Sequence, residues 1–348
     1  MPVVQVGEIL GTNREREAVV ARCRIGFVGA GGVATRHAQT LALIPQAHLV
    51  AVTDVDPMRA TRFAEYYGVR AAPDLDGLLN AGLDAVYVCV PPFAHGAVEE
   101  AVANAGMALF VEKPLGIDCA VAERVARAVA QAGVVTATGH HWRYSAAVEQ
   151  AQRLLADRPR RLVIGSWLDR VPPVGWWSQR SRSGGQIVEQ AVHVLDLARL
   201  LVGEVMEVSA LADGVPPDEP GADIDGVTVA LLRFCSGAVG TLAASCRLSW
   251  KHRAGIEVYA DGSALSITED ELQVRSSTDG NTPRTTAVLP EDAKTAADLA
   301  FVEAVLGVAD DVRAPYQEAL RTHRLACAVA TSAATGQSVQ LGGEHGAG

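Results

Sequence analysis

The run Cys23-Arg24-Ile25-Gly26-Phe27-Val28-Gly29-Ala30-Gly31-Gly32-Val33-Ala34 constrains this chain more than any other. A short apolar stretch stops at a glycine-rich turn, and Thr35 to Leu43 then reads as a helix. Strand, tight turn and helix in that order suit a dinucleotide fold. Gly29 permits the turn, Gly31 lets the backbone approach a pyrophosphate, and small Ala34 lets the helix pack closely on its strand. Gly32 and Val33 complete the turn, and the helix N-terminus faces the phosphate. A second strand, His48 to Thr53, ends in Asp54. That carboxylate lies about twenty residues beyond Ala34, the spacing expected of an acid that binds a ribose diol. It would repel a 2′-phosphate, and no arginine directly follows it, so the expected cofactor is NAD. Arg59, a little further on, keeps NADP open as an alternative.

At 348 residues the chain is long enough for two domains, each with its own core. From Cys23 to about Gly139 apolar strands alternate with helical patterns: Ala85 to Val90 then a helix from Ala94, Ala108 to Val111 then a helix from Cys119 to Ala132, and last Val134 to Thr138. This rhythm predicts an α/β fold opening with a Rossmann doubly wound parallel sheet. After about Ala146 strand-like runs follow one another: Leu162 to Leu168, Val205 to Leu211, Val227 to Phe234, Ala238 to Ser245, Ile256 to Ala260 and Ala264 to Ile267. Asp261-Gly262 is a hairpin signal. A second, α+β domain with a largely antiparallel open sheet is expected, carrying a long helix from Gln186 to Val202 that Gly203 ends. Asp213 to Asp225 reads as a surface loop, and helices over Ala296 to Leu306 and Tyr316 to Thr335 close the chain. The expected divisions are an N-terminal extension at 1–22, a cofactor domain at 23–142 and a substrate and assembly domain at 143–348.

Composition excludes several functions. A net charge of −10 with no long basic run argues against nucleic acid as a partner. The six cysteines show no CxxC spacing, which argues for free thiols in a reducing compartment and against a zinc framework. No leader-like N-terminus and no apolar run of membrane-spanning length is present, so a cytoplasmic protein is expected.

In open α/β sheets the ligand crevice lies beyond the carboxyl ends of the strands. The residues just past those ends are the glycine turn, Asp54, Pro91-Pro92 with His95, Glu112-Lys113-Pro114, and His140-His141-Trp142-Arg143-Tyr144. Pro91, His95, Glu112, Lys113 and Arg143 are therefore further candidates for cofactor contact, and Tyr144 for substrate contact. On a continuous helix from Gln186, Glu189, His193 and Asp196 would share one face at i, i+4 and i+7. A polar stripe on so apolar a helix needs a site or a network as its partner. Trp177 and Arg180, in the preceding loop, are candidates to cover or bind a substrate. Oxidising a secondary alcohol requires a proton acceptor, for which a histidine is suited, and a cation opposed to alkoxide charge, for which Lys113 is suited. Glu189, His193 and Asp196 could instead ligate a metal with His140 or His141, although the favoured assignment has no metal.

These motifs resemble the glucose-fructose oxidoreductase and inositol dehydrogenase (Gfo/Idh/MocA) family over nearly the whole chain after Cys23. The landmarks are the GAGGVA turn, the VTDVD strand end, VPPFAH, the FVEKP box, and Gly184-Gly185 before His193 and Asp196. The resemblance implies an NAD-dependent oxidoreductase acting on a sugar, polyol or cyclitol. It implies that Lys113 binds the reacting hydroxyl and that His193 moves the proton. It also implies assembly as a homodimer or homotetramer through the second domain. The family usually has aspartate where this chain has Glu189, and often glycine where it has Ala191, which implies a subgroup with its own pocket. The same architecture also serves glycoside-cleaving enzymes that oxidise transiently with bound NAD, and nucleotide-bound sensors or corepressors.

Overall fold

The computed structural model describes residues 21–277, 280 and 282–342. The expected extension at 1–22 lies outside these except for its last two residues, as does the end of the second domain. The first sheet has six strands: β1 (Cys23–Val28), β2 (Ala47–Thr53), β3 (Arg70–Ala71), β4 (Ala85–Val88), β5 (Ala108–Val111) and β6 (Thr136–Thr138). Their order is β3-β2-β1-β4-β5-β6, and every pairing is parallel. The strands β4 and β5 are buried along their whole length, as expected where helices cover both faces. Connecting helices run over Gly32–Leu41, Pro57–Tyr67, Leu75–Leu79, Ala97–Asn104 and Cys119–Ala132. Where a single helix from Ala94 was expected, a short 3₁₀ turn at Pro92–Ala94 precedes the helix.

The second sheet contains β7 (Arg160–Leu168), β8 (Val205–Ala212), β9 (Val227–Phe234), β10 (Val239–Ser245), β11 (Arg253–Ala260), β12 (Ser263–Thr268), β13 (Glu271–Ser276), β14 (Arg284–Ala287) and β15 (Val339–Gln340). Its order is β14-β13-β12-β11-β7-β10-β9-β8-β15. It is antiparallel except where β7 lies parallel to β10. Asp261-Gly262 makes the turn between β11 and β12, with Gly262 at φ 74°. The inward residues of this sheet pack on the helices Ala146–Leu155, Val192–Val202 and Tyr316–Thr335 in one core.

The long helix expected from Gln186 to Val202 is two helices, Gln186–Glu189 and Val192–Val202. The amide of Ala191 donates to the Gln186 carbonyl at 3.0 Å, a turn one residue too wide for an α-helix. The single-face geometry expected for Glu189, His193 and Asp196 is broken there, and Glu189 is aimed independently of the other two.

Two helices from the second half return to the first sheet. Helix Pro290–Val305 inserts Phe301 edge-on against Tyr87 and Phe110, with ring centroids 5.5 Å from each. Tyr87 and Phe110 themselves stack at 4.5 Å. Such aromatic pairs each contribute roughly 0.5–1.5 kcal/mol beyond burial. Tyr316, Ala319 and Leu320 of helix Tyr316–Thr335 join the core on the other face of the same sheet. The two sheets are thereby clamped around the strand ends where the candidate residues sit.

Candidate active site

The glycine turn has the conformation its sequence implies. Gly29 stands at φ +94°, and a Cβ there would meet the Cys89 carbonyl oxygen at 2.4 Å. At Gly31 and Gly32 a Cβ would meet nothing within 4 Å, so the turn is open on the side where a ligand would approach. Helix Gly32–Leu41 begins with no side-chain cap, leaving its first amides, those of Gly32, Val33 and Ala34, for an anion. Asp54 closes the turn from β2. Its Oδ2 accepts from the Ala30 amide at 2.7 Å and its Oδ1 from the Asp56 amide at 2.8 Å. Arg59 pairs with Asp56 at 3.4 Å. These features fit a dinucleotide: a backbone cradle without Cβ atoms, an uncapped helix start and a fixed carboxylate at the next strand end.

Two substitutions separate fold from binding. Gly29→Ala should lower unfolding free energy by at least about 2 kcal/mol, because positive-φ strain adds to a backbone clash. Gly31→Ala should leave the thermal midpoint unchanged and weaken NAD binding, since its methyl group enters only the open cradle. Paired thermal melts and NADH-fluorescence titrations check both.

Lys113 follows β5, and its ammonium donates to the Glu189 carbonyl at 2.8 Å and to Glu189 Oε1 at 2.9 Å. Glu189 Oε2 accepts from the Trp177 indole N–H at 2.6 Å. Gly184, at φ +77°, allows this segment to press on the loop after Lys113, where a Cβ would lie 3.0 Å from the Ile117 carbonyl.

His193 is buried in an aromatic cluster. Its ring centroid lies 5.5 Å from Trp142, 5.8 Å from Trp167, 5.3 Å from His141 and 5.9 Å from His140. Burial, then the positive charge of Lys113 and the neighbouring imidazoles and Lys251, pushes its pKa well below the usual histidine value. Burial thus favours the neutral imidazole of His193, the form that can accept a proton. Among the described residues no group of three or more His, Cys, Asp or Glu is gathered to hold a metal ion.

Behind Lys113 lies a buried chain of charges. Glu112 Oε1 meets His37 Nε2 at 2.8 Å and Arg36 Nη2 at 3.2 Å, and His37 Nδ1 meets Asp298 Oδ1 at 2.7 Å. Burial opposes charge on His37, but Asp298 and Glu112 outweigh it and raise its pKa to about 9. Burial likewise opposes ionisation of Glu112, and His37, Arg36 and Lys113 overcome it to hold the carboxyl at about 2. Sequence reading passed over His37 and Asp298. The histidine carried a local signal, a polar residue on the buried face of the helix after the glycine turn, whereas Asp298 is brought to it only by the returning helix.

Several of the expected site residues have their side chains engaged within the protein. Arg143 is a core residue: its guanidinium donates to both oxygens of Asp196 at 2.7 and 2.8 Å, to Glu318 at 2.9 Å and to the Arg313 carbonyl at 2.9 Å, so four of its five N–H groups are committed within the protein. Asp196 is thereby a structural partner. The Tyr144 hydroxyl accepts from the Arg313 amide at 2.8 Å and its ring packs on Ala293, Ala297 and Ala300. Trp177 is 1% exposed and offers no open ring face. Glu112 points into the charge chain and not outward. His95 is buried and pairs through Nδ1 with Glu99, whose other oxygen accepts from the Gly96 amide at 2.6 Å. That makes it an anchor of its own segment. Pro91 starts the 3₁₀ turn beyond β4 and is half-buried. Arg180 is tied to Asp225 at 2.8 Å while remaining partly exposed.

Comparison with known proteins places this geometry in a family. Residues 23–140 match the model described as "Oxidoreductase family, NAD-binding Rossmann fold", and residues 158–266 match the "GFO/IDH/MocA C-terminal domain". The chain is 32% identical to a myo-inositol 2-dehydrogenase of Thermotoga maritima over 72% of this chain and 76% of that protein. It is 30% identical to a UDP-N-acetylglucosamine 3-dehydrogenase of Acidithiobacillus ferrooxidans over 86% and 90% respectively. A levoglucosan dehydrogenase solved in complex with NADH shares the fold, with a TM-score of 0.83 over 92% of this chain and 99% of that one at 22% identity. The chain belongs to the Gfo/Idh/MocA family of NAD-binding oxidoreductases.

Proposed function

We infer that this oxidoreductase transfers hydride between NAD and a secondary hydroxyl or carbonyl of a sugar, polyol or cyclitol. The observation that carries the reading is the lysine at the β5 strand end, held by Glu189 and accompanied by His193, buried between Trp142 and Trp167. Bound NAD supplies the hydride acceptor. An ammonium has three N–H groups, and Glu189 takes two, which leaves one for a substrate oxygen. Lys113 then opposes its charge to the alkoxide that develops as the carbon is oxidised. His193 accepts the hydroxyl proton, and in the reducing direction a protonated His193 would return it. Glu189 fixes the lysine. Relatives named for inositol, UDP-N-acetylglucosamine and levoglucosan support a polyhydroxylated ring as substrate.

Asp54 supports NAD over NADP, because its carboxylate is already held at the β2 strand end beside the glycine turn, where it would repel a 2′-phosphate, and Arg59 is engaged by Asp56. A panel of sugars, cyclitols and their keto forms, each assayed with both cofactors by reduced-cofactor absorbance, tests the whole reading. At least one compound should reduce NAD, with NADP used far less well. Activity confined to NADP, or to no compound of the class, would count against it.

Assembly as a homodimer or homotetramer fits the outer face of the second sheet, where Leu211, Val229, Leu231 and Val239 are exposed side by side. The free state of all six cysteines fits a reducing cytoplasm, and no described helix is long and apolar enough to cross a membrane. Native mass measurement checks the assembly.

A further inference from the structure

Glu189 is held from both sides. One carboxylate oxygen faces Lys113 at 2.9 Å, and the other receives the Trp177 indole N–H at 2.6 Å. Trp177 is itself fixed. It is packed against Ile224 and Cys246, with Val171 and Trp176 at the edge, and its backbone amide donates to the Val174 carbonyl at 3.0 Å. A glutamate side chain has three rotatable bonds, and a carboxylate bound at only one oxygen can swing about the last of them. The indole donor removes that freedom. Since Glu189 takes two of the three ammonium donors through its carboxylate and its own carbonyl, the plane of the carboxylate sets where the third N–H points.

We propose that Trp177 is a positioning residue for the reaction: through Glu189 it fixes the direction of the single Lys113 N–H left for the substrate oxygen. This rests on the assignment of Lys113 to the substrate oxygen made above. The glutamate is what makes the arrangement possible, because its carboxylate spans a buried tryptophan on one side and the lysine on the other. Trp177 acts at one remove and touches neither substrate nor cofactor. It governs how many of the candidate hydroxyls on a ring Lys113 can engage, and so the regiochemistry of oxidation.

The test is a double-mutant cycle in the full chain with the best compound from the panel, comparing Trp177→Phe, Glu189→Ala and the double variant. Trp177→Phe keeps a ring and removes only the donor. It should lower kcat by roughly ten- to a hundredfold, the scale of losing placement of a catalytic group, while NADH affinity stays unchanged. In the Glu189→Ala background the same substitution should have no further effect, because Trp177 acts only through that carboxylate. A purely structural anchor would lose the same factor in both backgrounds, and that result, or wild-type kcat in Trp177→Phe, overturns the proposal. Should Trp177→Phe not fold, Glu189→Gln carries the test. Its carboxamide keeps one acceptor oxygen and turns an NH2 toward the other donor, so either Lys113 or Trp177 loses its partner and kcat should fall at least about tenfold. Wild-type kcat in Glu189→Gln overturns the proposal. If Lys113→Ala abolishes turnover while Trp177→Phe does not change it, the proposed function stands and the role of Trp177 falls. If Lys113→Ala retains full turnover, both fall.

Discussion

Lys113→Ala is expected to lower turnover by about 10²- to 10⁴-fold while NAD binding persists, and His193→Ala is expected to do the same. The two losses have different physical origins. Without Lys113 nothing charged among the described contacts of Glu189 opposes an alkoxide, and the Glu189 carboxylate is left facing the site unpaired, so transition-state stabilisation is lost twice. Without His193 the proton loses the acceptor assigned to it, and the pH dependence of kcat should lose the limb that reports it. Neither residue contributes to the glycine cradle or to Asp54, which is why cofactor affinity survives. Steady-state kinetics and NADH-fluorescence titration on both variants check this, and wild-type turnover in both would refute the assignments.

The second large effect is on stability. His37 bridges two buried carboxylates, Glu112 and Asp298, with Arg36 on the Glu112 side and the Tyr87 hydroxyl 3.3 Å from Asp298. Its pKa is raised from 6.5 to about 9, so the folded chain holds this proton more tightly than the unfolded one. The stabilisation is complete below about pH 6.5 and is lost as pH rises through about 9. His37→Gln leaves Glu112 with Arg36 and leaves Asp298 with only the Tyr87 hydroxyl among its described partners, and breaking a buried charge pair in this way costs about 3–5 kcal/mol. Urea unfolding from neutral to alkaline pH should show a falling stability in the wild type and a lower, flatter profile in the variant. An unchanged alkaline slope in His37→Gln would contradict the assignment.

What could be read from the amino-acid order was local. The strand, turn and helix around Gly29 are contiguous, and Asp54 follows at the next strand end, so a few residues settle their geometry. Lys113 was readable because an apolar strand ends beside it. The helix after Gly185 was read as continuous because its apolar period continues through Gln190 and Ala191. One wide turn interrupts it, and that interruption is what delivers Glu189 to Lys113. Arg143 and Tyr144 stood past a strand end and looked available. Their partners, Asp196, Glu318 and Arg313, arrive from distant helices and loops that no local pattern links to them. The packing of Trp177 against Ile224 and Cys246 is a tertiary fact that no local pattern carries.

Hydride transfer between a substrate carbon and NAD leaves an isotopic trace. The most direct measurement uses a turned-over sugar or cyclitol deuterated at the carbinol carbon and follows where the label goes. Stoichiometric reduced cofactor carrying deuterium on its nicotinamide ring is expected, with slower turnover than the protonated compound. Label released to water, or product formed while NAD is left unchanged, would contradict it.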